Sequence, residues 1–101
     1  MFEHNIKPTA IFATDDIKAI GVYKAVMYMG LKIPDDISII GHNNYAIATI
    51  IKPNLTTIDV PIYQLGKIAT EILFNLIEGK ETKKRTILKT ELIIRESCSN
   101  I

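Results

Sequence analysis

The sequence predicts an α/β fold in which helices and a parallel sheet form three layers, and three features predict it. A short apolar run over residues 10–13 ends in acidic residues and is followed at once by a helical pattern. A second apolar run over residues 37–40 also ends in a polar cluster. A long amphipathic pattern over residues 61–78 supplies a further helix to cover a sheet. Short strands that alternate with helices are typical of parallel sheets.

The composition sets the class of protein. With 101 residues, 48% hydrophobic and 23% charged, the chain is one small soluble domain or part of a larger one. Its net charge of +1 gives no basic face for nucleic acid. Cys98 is the single cysteine, which excludes an internal disulfide and favours a reducing, cytoplasmic setting. The polar start has no apolar leader core, and no run nears the roughly 20 residues of a membrane span, so we expect no membrane partner.

The first strand and helix meet at a corner that carries two acidic residues, Asp15 and Asp16. Asp is a preferred residue at helix N-caps, where its carboxylate accepts from free backbone N–H groups. We therefore expect Asp16 to cap the helix predicted over residues 17–29. Ligands bind beyond the carboxyl ends of strands in open α/β sheets, so Asp15 is the candidate for contacting a ligand.

The helix over residues 17–29 is apolar around most of its circumference, since Lys18 and Lys24 are its only charged members. Such a helix needs cover on two sides. One side is expected to face the sheet and the other a second subunit; the alternative is that its Tyr and Met side chains lie half exposed. Gly30 is expected to end this helix.

The remaining elements follow in order. The strand over 37–40 ends in Gly41-His42-Asn43-Asn44, which with Asp15 would form the rim of a cleft. Residues 55–58 resemble a third strand, and Pro61 opens a helix that Gly79 ends. The basic run over 80–85 is expected to be a solvated loop, and residues 86–95 a last strand.

No pattern for catalysis or for a bound metal is present. His4 and His42 lack metal-ligand spacing, and Cys98 is not placed as a catalytic thiol. A magnesium site at Asp15 and Asp16 would need a further Asp where the second strand ends in Asn. Phosphate-binding and nucleophile-elbow motifs are absent. We therefore expect no enzyme activity and no cofactor.

Four blocks in this order resemble the C-terminal part of LacI/GalR-type bacterial transcriptional regulators: PTAIFATDDIKAIGVYKA, GLKIPDDISIIGHNN, PNLTTIDVPIYQLGKIATEIL and ELIIRESC. The resemblance implies a partial periplasmic-binding-protein-like (type I) domain, with two subdomains around an effector cleft. Residues 8–58 would belong to the C-terminal subdomain, 59–85 would cross to the N-terminal one, and 86–96 would return. The DNA-binding headpiece of such regulators would be absent from residues 1–101.

The resemblance also implies roles for individual residues. Asp15 matches a position where a polar residue often faces the sugar or corepressor. Asn43 stands where the family usually has Asp, and His42 replaces an aromatic residue, so affinity would fall roughly tenfold or the ligand would differ. The first helix would contribute to a dimer interface, for which the candidate residues are Ile20, Tyr23, Lys24 and Met27.

The function implied is that of a fragment of a sugar-responsive repressor. It would contribute part of a pocket for a sugar or other small effector and part of a homodimer surface, and it would reach operator DNA only through the missing headpiece. The alternative is a fragment of a sugar-binding protein that serves a transporter.

Overall fold

The first half of the chain forms a strand–helix–strand unit with a parallel pair of strands. The structure is a computed structural model that describes residues 7–100, so His4 and the polar start up to residue 6 lie outside the described residues. Strand β1 spans Ala10–Phe12, helix α1 Asp16–Tyr28 and strand β2 Ser38–Ile40. β1 pairs with β2 in parallel, with Ala10 opposite Ser38. The predicted parallel α/β unit is confirmed.

The second half adds an antiparallel pair and a long helix. A short 3₁₀ helix, Ala46–Thr49, precedes strand β3, Thr57–Asp59. Helix α2, Ile62–Ile77, follows, and strand β4, Glu91–Ile93, pairs antiparallel with β3. An isolated parallel bridge between Ile40 and Thr56 links the two pairs of strands. The strand predicted over 86–95 is therefore too long, because only Glu91–Ile93 pair with β3.

Ser97 completes the sheet from the end of the chain. Its side chain is fully buried, and its carbonyl accepts from Ile39 N at 2.9 Å. Its hydroxyl accepts from Thr56 N at 2.8 Å and donates to Ile39 O. Ser97 thereby lies between the edges of β2 and β3 and satisfies backbone groups on both, as buried backbone groups require.

One face of α1 is buried in the core, and the opposite face is open. Its buried residues are Asp16, Ala19, Tyr23 and Val26. Ile17 and Tyr28 on the other side are 58% and 93% exposed. The expectation that this apolar helix has a side without cover inside the chain is consistent with that exposure. Gly30 adopts a φ of +78°, which suits a glycine just past the end of a helix.

Tyr23 belongs to the core of this chain. Its side chain is 2% exposed, and its hydroxyl donates to the carbonyl of Pro53 at 2.7 Å. The ring therefore joins α1 to the loop that follows the 3₁₀ helix. Within one chain the ring of Tyr23 packs in the core, and its place in a dimer interface stays a prediction.

Tyr23 should make stability depend on pH in the alkaline range. Burial raises the pKa of Tyr23 from 10.0 to about 12. A raised pKa stabilises the folded state below pH 10, and this contribution is lost as the pH rises to about 12. We expect a loss on the order of 2 kcal/mol across that range relative to the Tyr23→Phe variant.

The measurement is urea unfolding of both proteins at several pH values. The Tyr23→Phe variant is the matched control, since it keeps the ring and every other titrating group. At neutral pH it should be less stable by about 1 kcal/mol because it lacks the hydrogen bond to Pro53. A difference between the two proteins that stays constant with pH would contradict the prediction.

Helix α2 confirms the predicted amphipathic helix but has no partner within the described residues. Pro61 is its N-cap residue and Gly79 follows its C-cap, at a φ of +75°. None of its residues is buried, and Leu73 and Phe74 are 56% and 58% exposed. The radius of gyration is 18.0 Å, whereas a compact domain of this size has about 13 Å. The apolar face of α2 is therefore not covered by any other element of the described residues.

Candidate functional site

The carboxyl ends of β1 and β2 meet at one edge of the sheet, as the sequence predicts. The backbone N–H of Ala13 donates to the carbonyl of Ile40 at 2.8 Å. Beyond the ends of both strands, Asp16 N donates to His42 O at 3.1 Å. The acidic corner after β1 and the polar cluster after β2 are therefore joined directly, which makes this edge the candidate ligand site.

Asp15 is the cap of α1. Its backbone is extended, with φ −156° and ψ 170°, and its carboxylate accepts from Lys18 N at 2.8 Å. The prediction that Asp16 caps the helix is therefore wrong, since the cap lies one residue earlier. Asp15 is partly exposed at the rim, so one carboxylate can serve the helix terminus and still face solvent.

Asp16 is a buried structural carboxylate. Its side chain is 0% exposed and accepts from Thr57 Oγ1 and from Tyr45 N, each at 2.6 Å. These bonds direct the carboxylate away from the free N–H groups of the helix and toward β3. A Cβ at Gly41 would overlap Asp16 Oδ1, so only glycine fits beside this carboxylate. Asp16 thus fixes the geometry of the rim from beneath it.

Two asparagines shape the turn after β2. Asn43 and Asn44 have φ values of 104° and 58°, a region that Asn tolerates better than most residues. Asn43 N donates to Ile58 O at 2.9 Å, and Asn43 Nδ2 donates to the hydroxyl of Tyr45 at 3.1 Å. Tyr45 is 38% exposed. The amide of Asn43 and the phenol of Tyr45 are therefore held together at the rim.

Sequence reasoning missed the network beneath this turn. Asn44 Nδ2 donates to Asp59 Oδ1 at 2.9 Å, and Arg95 donates from Nη2 to Asn44 Oδ1 at 2.7 Å. Arg95 Nη1 also donates to the carbonyl of Leu55 at 2.9 Å. Spacing in the sequence could not reveal these contacts, because they join residues far apart in the chain.

The residues predicted for a dimer surface line a shallow apolar groove of about 320 Å³ between α1 and the segment formed by the 3₁₀ helix and the loop after it. Met27 is 50% exposed there. The lining residues are Ile20, Tyr23, Lys24, Met27, Ile47, Ile51 and Lys52. Ile47 and Ile51 are additions to the predicted set, and their apolar spacing over 45–51 is the sequence feature that could have identified them.

The rim offers hydrogen-bonding groups of several kinds. Asp15 supplies a carboxylate, Asn43 an amide, Tyr45 a phenol and His42 a partly exposed imidazole. Such groups suit a small polyhydroxylated molecule, whose hydroxyls both donate and accept. Within residues 7–100 no group of three or more His, Cys, Asp or Glu side chains is placed to hold a metal ion. No helix in that part of the chain is long and apolar enough to span a membrane.

Comparison with known proteins gives one family. The periplasmic binding protein-like domain matches residues 1–98. The chain is 38% identical over 99 residues to the HTH-type transcriptional repressor PurR of Aliivibrio fischeri, a match that covers 97% of this chain and 29% of that protein. The chain thus spans under a third of the length of this curated relative.

Solved structures of LacI-type regulators superpose on this chain. A LacI family transcriptional regulator from Enterococcus faecium with bound ribose superposes with a TM-score of 0.86 at 33% identity, covering 96% of this chain and 37% of that one. The lac repressor dimer bound to operator and the anti-inducer ONPF superposes with a TM-score of 0.88 at 30% identity, covering 97% and 34%. Both alignments cover nearly all of this chain and about a third of the other.

Proposed function

Because this chain belongs to the periplasmic binding protein-like domain family, in its LacI-type branch, we propose that it is the C-terminal part of a cytoplasmic transcriptional repressor. It would supply part of an effector pocket and part of a homodimer surface. Its relatives are regulators of transcription, so the transporter alternative is not favoured. Operator DNA would be bound by a headpiece that lies outside this chain.

The observation that carries the proposal is the contact between the segments that follow β1 and β2, in which Asp16 N donates to His42 O. It brings the carboxylate of Asp15 and the amide of Asn43 to one rim. The effector would be a sugar or a similar polyhydroxylated molecule, and the bound ribose of the Enterococcus faecium regulator supports this class. The remaining wall of the pocket would come from the subdomain that packs on the exposed face of α2.

The apolar groove between α1 and the segment formed by the 3₁₀ helix and the loop after it would form part of the homodimer contact. Its lining surface is almost wholly apolar, and Met27 is 50% exposed there. Exposed apolar surface of this kind is typical of protein interfaces. The lac repressor neighbour, which is a dimer, supports the same assembly.

The effector site is tested by titrating the full-length protein with D-ribose, lactose and related sugars in a calorimeter. We expect one of these sugars to bind and the Asn43→Ala variant to bind it about tenfold more weakly, since the amide would lose its hydrogen bond to the ligand. Asn100→Ala, an exposed asparagine away from the rim, is the matched control. Failure of every sugar to bind, or unchanged affinity in the Asn43→Ala variant, would count against the proposal.

A further inference from the structure

Strands β3 and β4 connect the body of the protein to α2. α2 begins three residues after the end of β3, and the chain returns from it through residues 78–90 into β4. None of the residues of α2 is buried, and the molecule extends 57 Å along its long axis. The orientation of α2 therefore depends on how these two strands are held.

Asn44 is the residue that holds both. Its side-chain amide donates to Asp59 at the end of β3 and accepts from Arg95, two residues after the end of β4. Its backbone N–H also contacts Thr57 Oγ1 at 3.4 Å. Asp59 and Arg95 do not pair with each other, since the ion pair within residues 7–100 is Lys80–Glu78. The amide thus joins an anionic and a cationic residue on two different strands.

An amide suits this bridge, because its NH₂ donates to a carboxylate while its carbonyl oxygen accepts from a guanidinium. Bonds to charged partners are also stronger than neutral ones. The left-handed backbone at Asn44, with φ 58°, aims the side chain at the strands while the neighbouring Asn43 stays at the rim. Asn43 thus lies at the rim, and Asn44 contacts the two strands.

We propose that Asn44 is a positioning residue that ties the effector-contacting turn at Asn43 to the two strands leading to and from α2. The inference rests on the proposed function, because it assigns a consequence to effector binding at Asn43. A ligand that moves or fixes the turn changes, through Asn44, the position of Asp59 and Arg95. The orientation of the part of the protein that contains α2 changes with them.

The first test needs no ligand. Hydrogen exchange of the full-length protein is followed by mass spectrometry in the Asn44→Asp variant, which places a second carboxylate against Asp59. Backbone amides of residues 57–60 and 91–95 should exchange about tenfold faster. Adding Asp59→Asn supplies an amide donor opposite the new carboxylate and should return exchange to near the original rate. Asn44→Gly tolerates the same backbone and should match Asn44→Asp if the side chain is what matters.

Rescue separates a specific bridge from a general structural role. If Asn44→Asp and Asn44→Gly leave exchange in both strands unchanged, or if Asp59→Asn fails to restore it, the positioning role is refuted. Recovery in the double variant supports the bridge, since a general loss of packing would not respond to the second substitution.

The second test adds D-ribose. Ribose should slow exchange at residues 91–95 in the original protein, and this slowing should be lost in Asn44→Asp although ribose still binds. Equal slowing in both proteins refutes the coupling. Failure of the original protein to bind ribose counts against the proposed effector class alone, because the ligand-free comparison still decides the role of Asn44.

Discussion

The Asp16→Ala variant is expected to lower the free energy of unfolding by roughly 3–5 kcal/mol. The carboxylate is fully buried and accepts from Thr57 Oγ1 and Tyr45 N at 2.6 Å. Its removal leaves the buried hydroxyl of Thr57 and the partly buried N–H of Tyr45 without this acceptor, and it opens a space beside Gly41. Urea unfolding of the full-length protein, followed by circular dichroism, measures the change.

Asp15→Ala is the matched control for this prediction. It removes the neighbouring carboxylate, but only the cap contact to Lys18 N is lost, at a cost of about 1 kcal/mol. The structure therefore assigns the larger effect to Asp16 and the smaller to Asp15. Equal losses, or a larger loss for Asp15→Ala, would contradict the assignment of the buried structural role to Asp16.

The Met27→Glu variant is expected to convert the proposed homodimer to monomers, raising its dissociation constant by roughly 100-fold or more. Met27 is half exposed in the apolar groove, where a carboxylate would have to be desolvated on association. Sedimentation velocity over a range of concentrations measures the change.

Tyr28→Glu is the control on the same helix, since Tyr28 is 93% exposed and does not line the groove. It should leave the dimer intact. Monomers from Tyr28→Glu with a dimeric Met27→Glu variant would place the interface on another face of α1. A strictly monomeric parent protein would overturn the interface itself.

The strand–helix–strand unit was predictable because its information is local. The apolar runs, the acidic corner and Gly30 each act within a few residues, and they place β1, α1 and β2 to within one residue at each end. The last strand was overestimated for the same reason. Residues 86–90 have apolar character, but a strand also needs a partner edge, and β3 offers pairing only to Glu91–Ile93.

The sequence predicted where the candidate site lies, but not the contacts that its side chains make. The meeting of the two strand ends follows from parallel pairing, but the roles of Asp15 and Asp16 depend on which carboxylate faces Thr57, 41 residues away from Asp16. The same holds for Tyr23, whose partner is the carbonyl of Pro53. Arg95 and Asn44 are 51 residues apart, and no local pattern encodes their contact.

The position of Ser97 sets the order in which the sheet can be completed during synthesis. Chains emerge from the ribosome N-terminus first, so β1, β2 and β3 are all made before the residue that satisfies the edges of the last two. Until Ser97 emerges, Ile39 and Thr56 keep open backbone groups that another strand could pair with. The nascent protein is therefore exposed to mispairing at these two strands until Ser97 has been translated.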